Sequence, residues 1–430
     1  MNETATPSAN RSFGSTHGIG VACGLAAGVW LGAAEAPTKL VNSGLSPYAI
    51  SLCMVAGVFT ARWTVPTLLK GTRYVFADLR ENKHLILNAI LAGMLWAVAN
   101  TLTVFAIRDV GLTIAFPLWN TNALVGIFWG WLLFGELRGA SRKNVAKVLL
   151  GALAIIAAAV MLAFSTIHAG GPHASHAVSG VLAAAGASLL WGTMYIPYRK
   201  AYISGMNPLS FVTVFTVGEL GTVFALLLAL DGGTKAAIFH SPETKHLLFW
   251  LFLGGFAWVI GDLFQQFTTK YVGIGRGIPL SNTNQMWGLA WGVLVFGELA
   301  HADLAHKLLV VAGSVVMIFG ALIVSTAVAT EREHASTHET LLRECNRYDL
   351  DYERVRNAYS GRASGDRDER RGWWDYVILA AAAGVFVYLG LNARIPPLSM
   401  NIAWIWVMTG VAVATAIGCG FALWKTTRFS

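Results

Sequence analysis

The sequence predicts an all-α membrane protein of about 12 transmembrane helices, a ten-helix unit of two inverted five-helix repeats followed by a C-terminal two-helix hairpin. Three observations predict it. Of 430 residues, 55% are apolar and only 13% are charged, whereas a soluble domain carries about 25% charged residues. Twelve stretches reach the ~20 mostly apolar residues that a spanning helix needs. The chain also repeats itself at an offset of 160–162 residues. Together these exclude an ordinary soluble enzyme and a disordered or fibrous chain. The four cysteines (Cys23, Cys53, Cys345, Cys419) are scattered and form no disulfide framework or zinc spacing.

Taken in order, a polar tail (1–17) precedes the first repeat (18–166), with spans near 18–37, 46–67, 85–107, 113–135 and 145–166. The first apolar run is too long for a cleavable signal, so it is expected to stay. The second repeat (178–328) has spans near 178–198, 207–230, 246–269, 277–298 and 306–328. A charged linker (331–373) leads to the hairpin (374–424), whose spans lie near 374–392 and 401–424. With the N-terminus inside, the inner loops and linker hold 22 Lys and Arg against 5 in the outer loops of the first ten spans. By the positive-inside rule both termini are cytoplasmic, and the expected location is the cell membrane, for a bacterium the inner one. The net charge of +8 is then a topological label, and nucleic acid is not an expected partner.

The repeat is closest where 93–137 aligns with 255–299 without a gap, at 18 identities in 45 positions. Its core runs from Pro117 to Asn122 through Gly126, Trp129-Gly130 and Phe134-Gly135-Glu136. The second copy runs from Pro279 to Asn284 through Gly288, Trp291-Gly292 and Phe296-Gly297-Glu298. Five spans is an odd number, so the second copy enters the membrane from the opposite side. Inverted repeats of this kind are a signature of secondary transporters, with the substrate site near the midplane between the halves. The plain alternative is a duplicated membrane scaffold or sensor whose linker binds a cytosolic partner.

The segment Gly93-Met94-Leu95-Trp96-Ala97-Val98-Ala99-Asn100, through Val110-Gly111 and Pro117 to Phe134-Gly135-Glu136, resembles the drug/metabolite transporter superfamily. Within it, the likeness is to the glucose/ribose porter and rhamnose–proton symporter branch. The resemblance covers about residues 18–328. It implies a carrier of 5+5 helices for a sugar or similar small polar metabolite, with an exporter of amino acids, metabolites or drugs as the alternative on the same scaffold. It assigns no role to the linker or hairpin, and the hairpin is read as an accessory that packs on the carrier or mediates homo-oligomerisation.

On a helical wheel, Trp119, Asn122, Gly126, Trp129 and Gly130 share one arc, and Ser281, Asn284, Gln285, Gly288, Trp291 and Gly292 repeat it. The bland reading is close helix packing with asparagine as interhelical glue. Asn120 and Asn282 point about 100° away, so all four amides line one cavity only if the helix breaks near the proline. Gly93, Trp96, Asn100 and Thr103 share a face of the third span. The eighth span matches it with Gly255, Trp258, Asp262, Gln265 and Thr269. Polar groups that deep usually face a cavity or pathway; the competing reading is a buried network that fixes packing. Amides bond hydroxyls and an indole covers an apolar ring face, so the substrate-contact candidates are Trp96, Asn100, Asn122, Trp258, Gln265 and Asn284.

Three acids lie inside spans: Asp262, Glu219 and Glu35. A carboxyl in an apolar setting is suited to taking up and releasing a proton, and protons are the expected co-substrate. Asp262 aligns with Asn100 and Glu219 with Val58, so neither is duplicated, as suits a coupling site needed only once. Glu35 resembles the first-helix glutamate of small multidrug exporters. Glu136 and Glu298 read as caps or interface markers, Arg199, Lys200 and Arg276 as inner-face anchors, and Ser336 with Glu339 as a capping box. His168, His173 and His176 crowd one loop with no acid or Cys among them, so no metal is expected. No P-loop, nucleophile–base set or cofactor motif occurs, which points away from an enzyme.

Overall fold

The computed structural model describes residues 8–34, 36–39, 45–110, 115, 118–164, 177–232, 244–297, 303–328, 330–362, 371–395 and 400–429. These residues are almost entirely helical, with no strand among them. The first half holds α1 (Ser8–Ala33), α2 (Pro47–Leu69), α3 (Thr72–Glu81), α4 (Ile86–Val110), α5 (Asn122–Phe134) and α6 (Arg142–Phe164). The second holds α7 (Ala177–Ile203), α8 (Pro208–Leu230), α9 (Thr244–Val272), α10 (Ile274–Ser281), α11 (Asn284–Ala290) and α12 (Leu304–Ser325). The linker forms α13 (Glu331–Tyr348) and α14 (Tyr352–Tyr359), and the hairpin forms α15 (Trp373–Asn392) and α16 (Ile402–Thr427). Ten helices among the described residues are long and apolar enough to cross a membrane. The other two expected spans are present in pieces, α5 being short and α10, α11 and a π-helical turn at Trp291–Val295 sharing one stretch.

The repeat is visible in how helices start. Ser46 Oγ accepts from Ala49 N at 3.1 Å ahead of Pro47, and Asn207 Oδ1 accepts from Leu209 N at 2.8 Å ahead of Pro208. Each pair combines an N-cap with a proline whose missing N–H is not needed there. The repeat is visible again where the halves cross. α2 packs on α9 and α8 packs on α4, and in each crossing a glycine lies against the backbone carbonyl of its neighbour. Gly93 faces Phe215 O, and its repeat twin Gly255 faces Met54 O. Small residues let membrane helices approach this closely.

The hairpin packs on the ten-helix unit. Phe386 of α15 sets its ring edge-on to Phe252 at 5.1 Å and Phe256 at 4.8 Å. Trp30 of α1 donates to Ala412 O of α16 at 2.8 Å. Asp375 ties the foot of α15 to α3, accepting from Thr72 N at 2.9 Å. The outward faces of both hairpin helices carry exposed large apolar side chains such as Leu391 and Trp406, suited to lipid.

The linker helices depart from the expected pattern in one place. The capping box that starts α13 is Thr330 with Glu333, Thr330 N donating to Glu333 Oε2 at 2.9 Å. Ser336 and Glu339 fall inside the helix. The box therefore sits six residues earlier than the sequence suggests, because Thr330 is the residue whose extended backbone (φ −81°, ψ 164°) fits an N-cap.

Candidate functional site

Two Asn-Thr-Asn turns build the site. Thr121 (φ −62°, ψ −8°) precedes α5, and Thr283 (φ −63°, ψ −7°) separates α10 from α11. The 100° rule does not carry across such a break, because the segments on either side no longer share an axis. As a result Asn120, Asn122, Asn282 and Asn284 all line one cavity of about 380 Å³. The helix break that a shared lining by all four amides requires is thus present.

All six expected contact residues, Trp96, Asn100, Asn122, Trp258, Gln265 and Asn284, line this same cavity, with Trp119, Trp191 and Tyr195 completing its aromatic wall. Among the described residues, no charged side chain lines it. Its size is in the range of small-molecule sites, 300–1,000 Å³. Ile50, Ile107 and Leu251 also line it; they lie at the ends of α2, α4 and α9 remote from the linker. Among the described residues, the cavity therefore opens on the face away from α13 and α14. Its floor is the repeat pair Trp96 and Trp258, with ring centroids 4.9 Å apart. Some of the lining amides already hold protein partners, since Asn100 Nδ2 donates to Ser51 Oγ at 3.3 Å and Gln265 Nε2 to Ser281 Oγ at 2.6 Å.

Beneath the floor lies a cation that the sequence reading passed over. Arg62 of α2 is fully buried, as are Glu219 and Asp262. Its Nη2 donates to Asp262 Oδ2 at 2.6 Å, and its Nη1 lies 3.2 Å from Glu219 Oε2. The guanidinium carbon sits 4.0 Å from the Phe215 ring centroid and 5.4 Å from that of Trp258, in cation–π range. Gln266 Nε2 donates to Asp262 Oδ2 at 2.7 Å, and its Oε1 accepts in turn from the Tyr202 hydroxyl. The two acids thus do not line the cavity; they meet on one arginine below it. A tally of loop charges could not find Arg62, because it lies within the apolar stretch 46–67. The available signal was its being a lone cation inside a span. Glu35 lies outside the described residues, as do Glu298, His168, His173 and His176.

The linker face is closed. Gly135 at φ +66° ends α5 in the left-handed region that favours glycine. Glu136 follows and accepts from Ile274 N and Gly275 N, both at 2.9 Å, at the positive end of α10. Arg199 Nε lies 3.3 Å from Glu136, and its Nη1 donates to Thr269 O and Lys270 O at 3.1 and 3.0 Å. Arg276 pairs with Glu333 of the linker at 2.7 Å. Arg199 and Arg276 are therefore buried tethers of the closed face and not interfacial anchors, since each is needed to satisfy polar groups that the closure takes out of water.

A multi-pass helical bundle with an amide- and indole-lined cavity between two repeats is the architecture of a membrane transporter. The chain belongs to the sugar transport protein family, whose model matches residues 46–165 and 182–346. It is similar to a proposed sugar uptake protein of Listeria monocytogenes, 23% identical over 261 residues that cover 59% of this chain and 84% of that one. A counterpart from Lactobacillus johnsonii is 33% identical over 25% of this chain and 36% of its own. Transmembrane protein 144 homolog B of Dictyostelium discoideum is 25% identical over 34% of this chain and 41% of its own. One crystal structure aligns over 72% of this chain and 96% of its own, with a TM-score of 0.50 and 18% identity, a likeness of fold alone. The family match stops at residue 346, before α14 and the hairpin.

Proposed function

We propose that this protein carries a sugar into the cell together with a proton, by alternating access between its two repeats. The observation that carries the reading is a cavity whose described lining is indoles, carboxamides and apolar side chains, set directly above a buried triad with one more acid than base. Amides exchange hydrogen bonds with hydroxyls, and the indole of Trp258 covers an apolar ring face. With both termini and the linker cytoplasmic, the cavity faces outside. The aromatic wall also suits a metabolite exporter, but six carboxamides among the lining residues favour a polyhydroxylated ligand.

For coupling, two carboxylates share one guanidinium, and neither oxygen of Glu219 makes a hydrogen bond. One proton neutralises the set, and we place it on Glu219 ahead of Asp262. Asp262 is already bonded to Arg62 and Gln266. Uptake of labelled sugar into proteoliposomes with an inward proton gradient tests this. Glu219→Gln is expected to abolish accumulation against the sugar gradient while sugar counterflow continues. Gradient-driven accumulation that survives in both Glu219→Gln and Asp262→Asn would sink the coupling assignment. Accumulation driven only outward, in vesicles of known orientation, would favour the exporter.

The binding assignment has its own test. Trp258→Ala removes the aromatic floor and one of the two rings beside Arg62. It is expected to weaken sugar binding by about tenfold or more, from the area and stacking lost. Sugar-dependent thermal stabilisation of the purified protein reads this directly, and an unchanged affinity would move the site elsewhere.

A further inference from the structure

The four cavity asparagines are symmetric in sequence but not in bonding. The repeat relates Asn120 to Asn282 and Asn122 to Asn284. Across the cavity, Asn282 Nδ2 donates to Asn122 Oδ1 at 2.9 Å and approaches Asn120 O at 3.4 Å. The two-fold image of that bond would run from Asn120 Nδ2 to Asn284 Oδ1. It is not made here, since Asn284 Oδ1 is buried and accepts nothing. The asymmetry does not come from the local backbone, because Thr121 and Thr283 hold the same φ and ψ to within a degree. It comes from how the two breaks lie against each other while the cavity opens on one face only.

Inverted repeats working by alternating access exchange conformations, so the arrangement that one repeat holds now passes to the other when the cavity turns. Resting on the alternating-access reading above, we infer that the four asparagines form a two-position latch. Asn282 bonds Asn122 when the cavity faces away from the linker, and Asn120 bonds Asn284 when it faces the linker. The two bonds are chemically identical, so the latch favours neither state on its own. In each state it leaves one amide oxygen without a protein partner, Asn284 Oδ1 in the state seen here and Asn122 Oδ1 in the other. A buried acceptor left unpaired is unfavourable, and a sugar hydroxyl placed there removes that penalty. The ligand is thus held by the oxygen that the latch has released, and turning the cavity hands it from one repeat to the other.

The latch predicts opposite effects from equivalent substitutions. In the full chain with its four cysteines changed to serine, Ile107→Cys reports access from the face away from the linker and Ile274→Cys reports access from the linker face. A membrane-impermeant thiol reagent is applied from each side in turn. Asn282→Ala removes the donor of the present state, and is expected to slow labelling at 107 and speed it at 274. Asn120→Ala is expected to do the reverse. Each shift should be about threefold to tenfold, the value of one net amide hydrogen bond. Should an alanine variant not yield monodisperse protein, Asn282→Ser and Asn120→Ser remove the same bonds, since serine cannot span the distance. If both substitutions move the reporters in the same direction, or neither moves them, the latch is wrong. If labelling in the parent does not respond to added sugar at either site, alternating access itself fails, which is a separate result.

Discussion

Arg62→Met is expected to leave little folded protein. The substitution keeps most of the side-chain length but leaves Glu219 and Asp262 fully buried with no cation between them. Removing one partner of a buried ion pair costs about 3–5 kcal/mol because the remaining charge has no compensation, and here two carboxylates are left. That is a large share of the 5–15 kcal/mol that typically holds a domain together. The prediction separates structure from mechanism through a second variant. Arg62→Met combined with Glu219→Gln and Asp262→Asn removes all three charges in near-isosteric form, and replacing a buried ionic set by neutral groups is often close to neutral for stability. The triple variant is expected to recover a sharp thermal transition in detergent but to carry sugar only down its gradient. A stable Arg62→Met single variant would show that the triad is not held as a charged set, and a triple variant that still accumulates sugar would remove the triad from coupling.

Gly93→Leu is expected to be about as severe. A Cβ at Gly93 would collide with Phe215 O and come within 2.9 Å of Glu219 N. The obstacles are backbone atoms of α8, so no rotamer change relieves them, and the two helices must separate. Overpacking of this kind usually costs 1–3 kcal/mol and occasionally more; the rigid neighbour puts this site at the upper end, about 3 kcal/mol. The displaced turn is the one that carries Glu219, so proton-driven accumulation should fall further than stability does. Gly255→Leu meets Met54 O at the equivalent crossing of α9 and α2, where Val58 stands in the place of Glu219. It is expected to lower thermal stability by a similar amount, with a smaller effect on coupling in the protein that folds. Wild-type melting temperatures in both variants would mean that the helices do not cross at backbone contact.

Much of the architecture could be read before any coordinates. Span positions follow from apolar runs long enough to cross hydrocarbon, and the hydrophobic signal is strong because charge is so scarce. α5 and the α10–α11 stretch fell short of regular spans for a reason also present in sequence, the proline and the Asn-Thr-Asn that follows. The wheel placed Trp96 with Asn100 and Trp258 with Gln265 on faces that do line the cavity, because those residues sit on long regular helices. It could not by itself place Asn120 and Asn282, which lie where the helix stops being one. It also passed over Arg62, whose partners are 157 and 200 residues away in sequence.

By itself the sequence determined that this protein is a bundle of membrane-spanning helices, a duplicated five-span unit, and a chain with its polar groups concentrated on a few helix faces. Those properties depend on length, composition and spacing along one segment. Only the tertiary structure decided which polar groups meet. Arg62, Glu219 and Asp262 form one set because α2 crosses α9 and α4 crosses α8 at glycines that let backbones touch, with α2 also packed on α8, and the asparagines converge because two broken helices face each other. Such encounters depend on the mutual placement of helices from different repeats, which no periodicity within a single helix encodes.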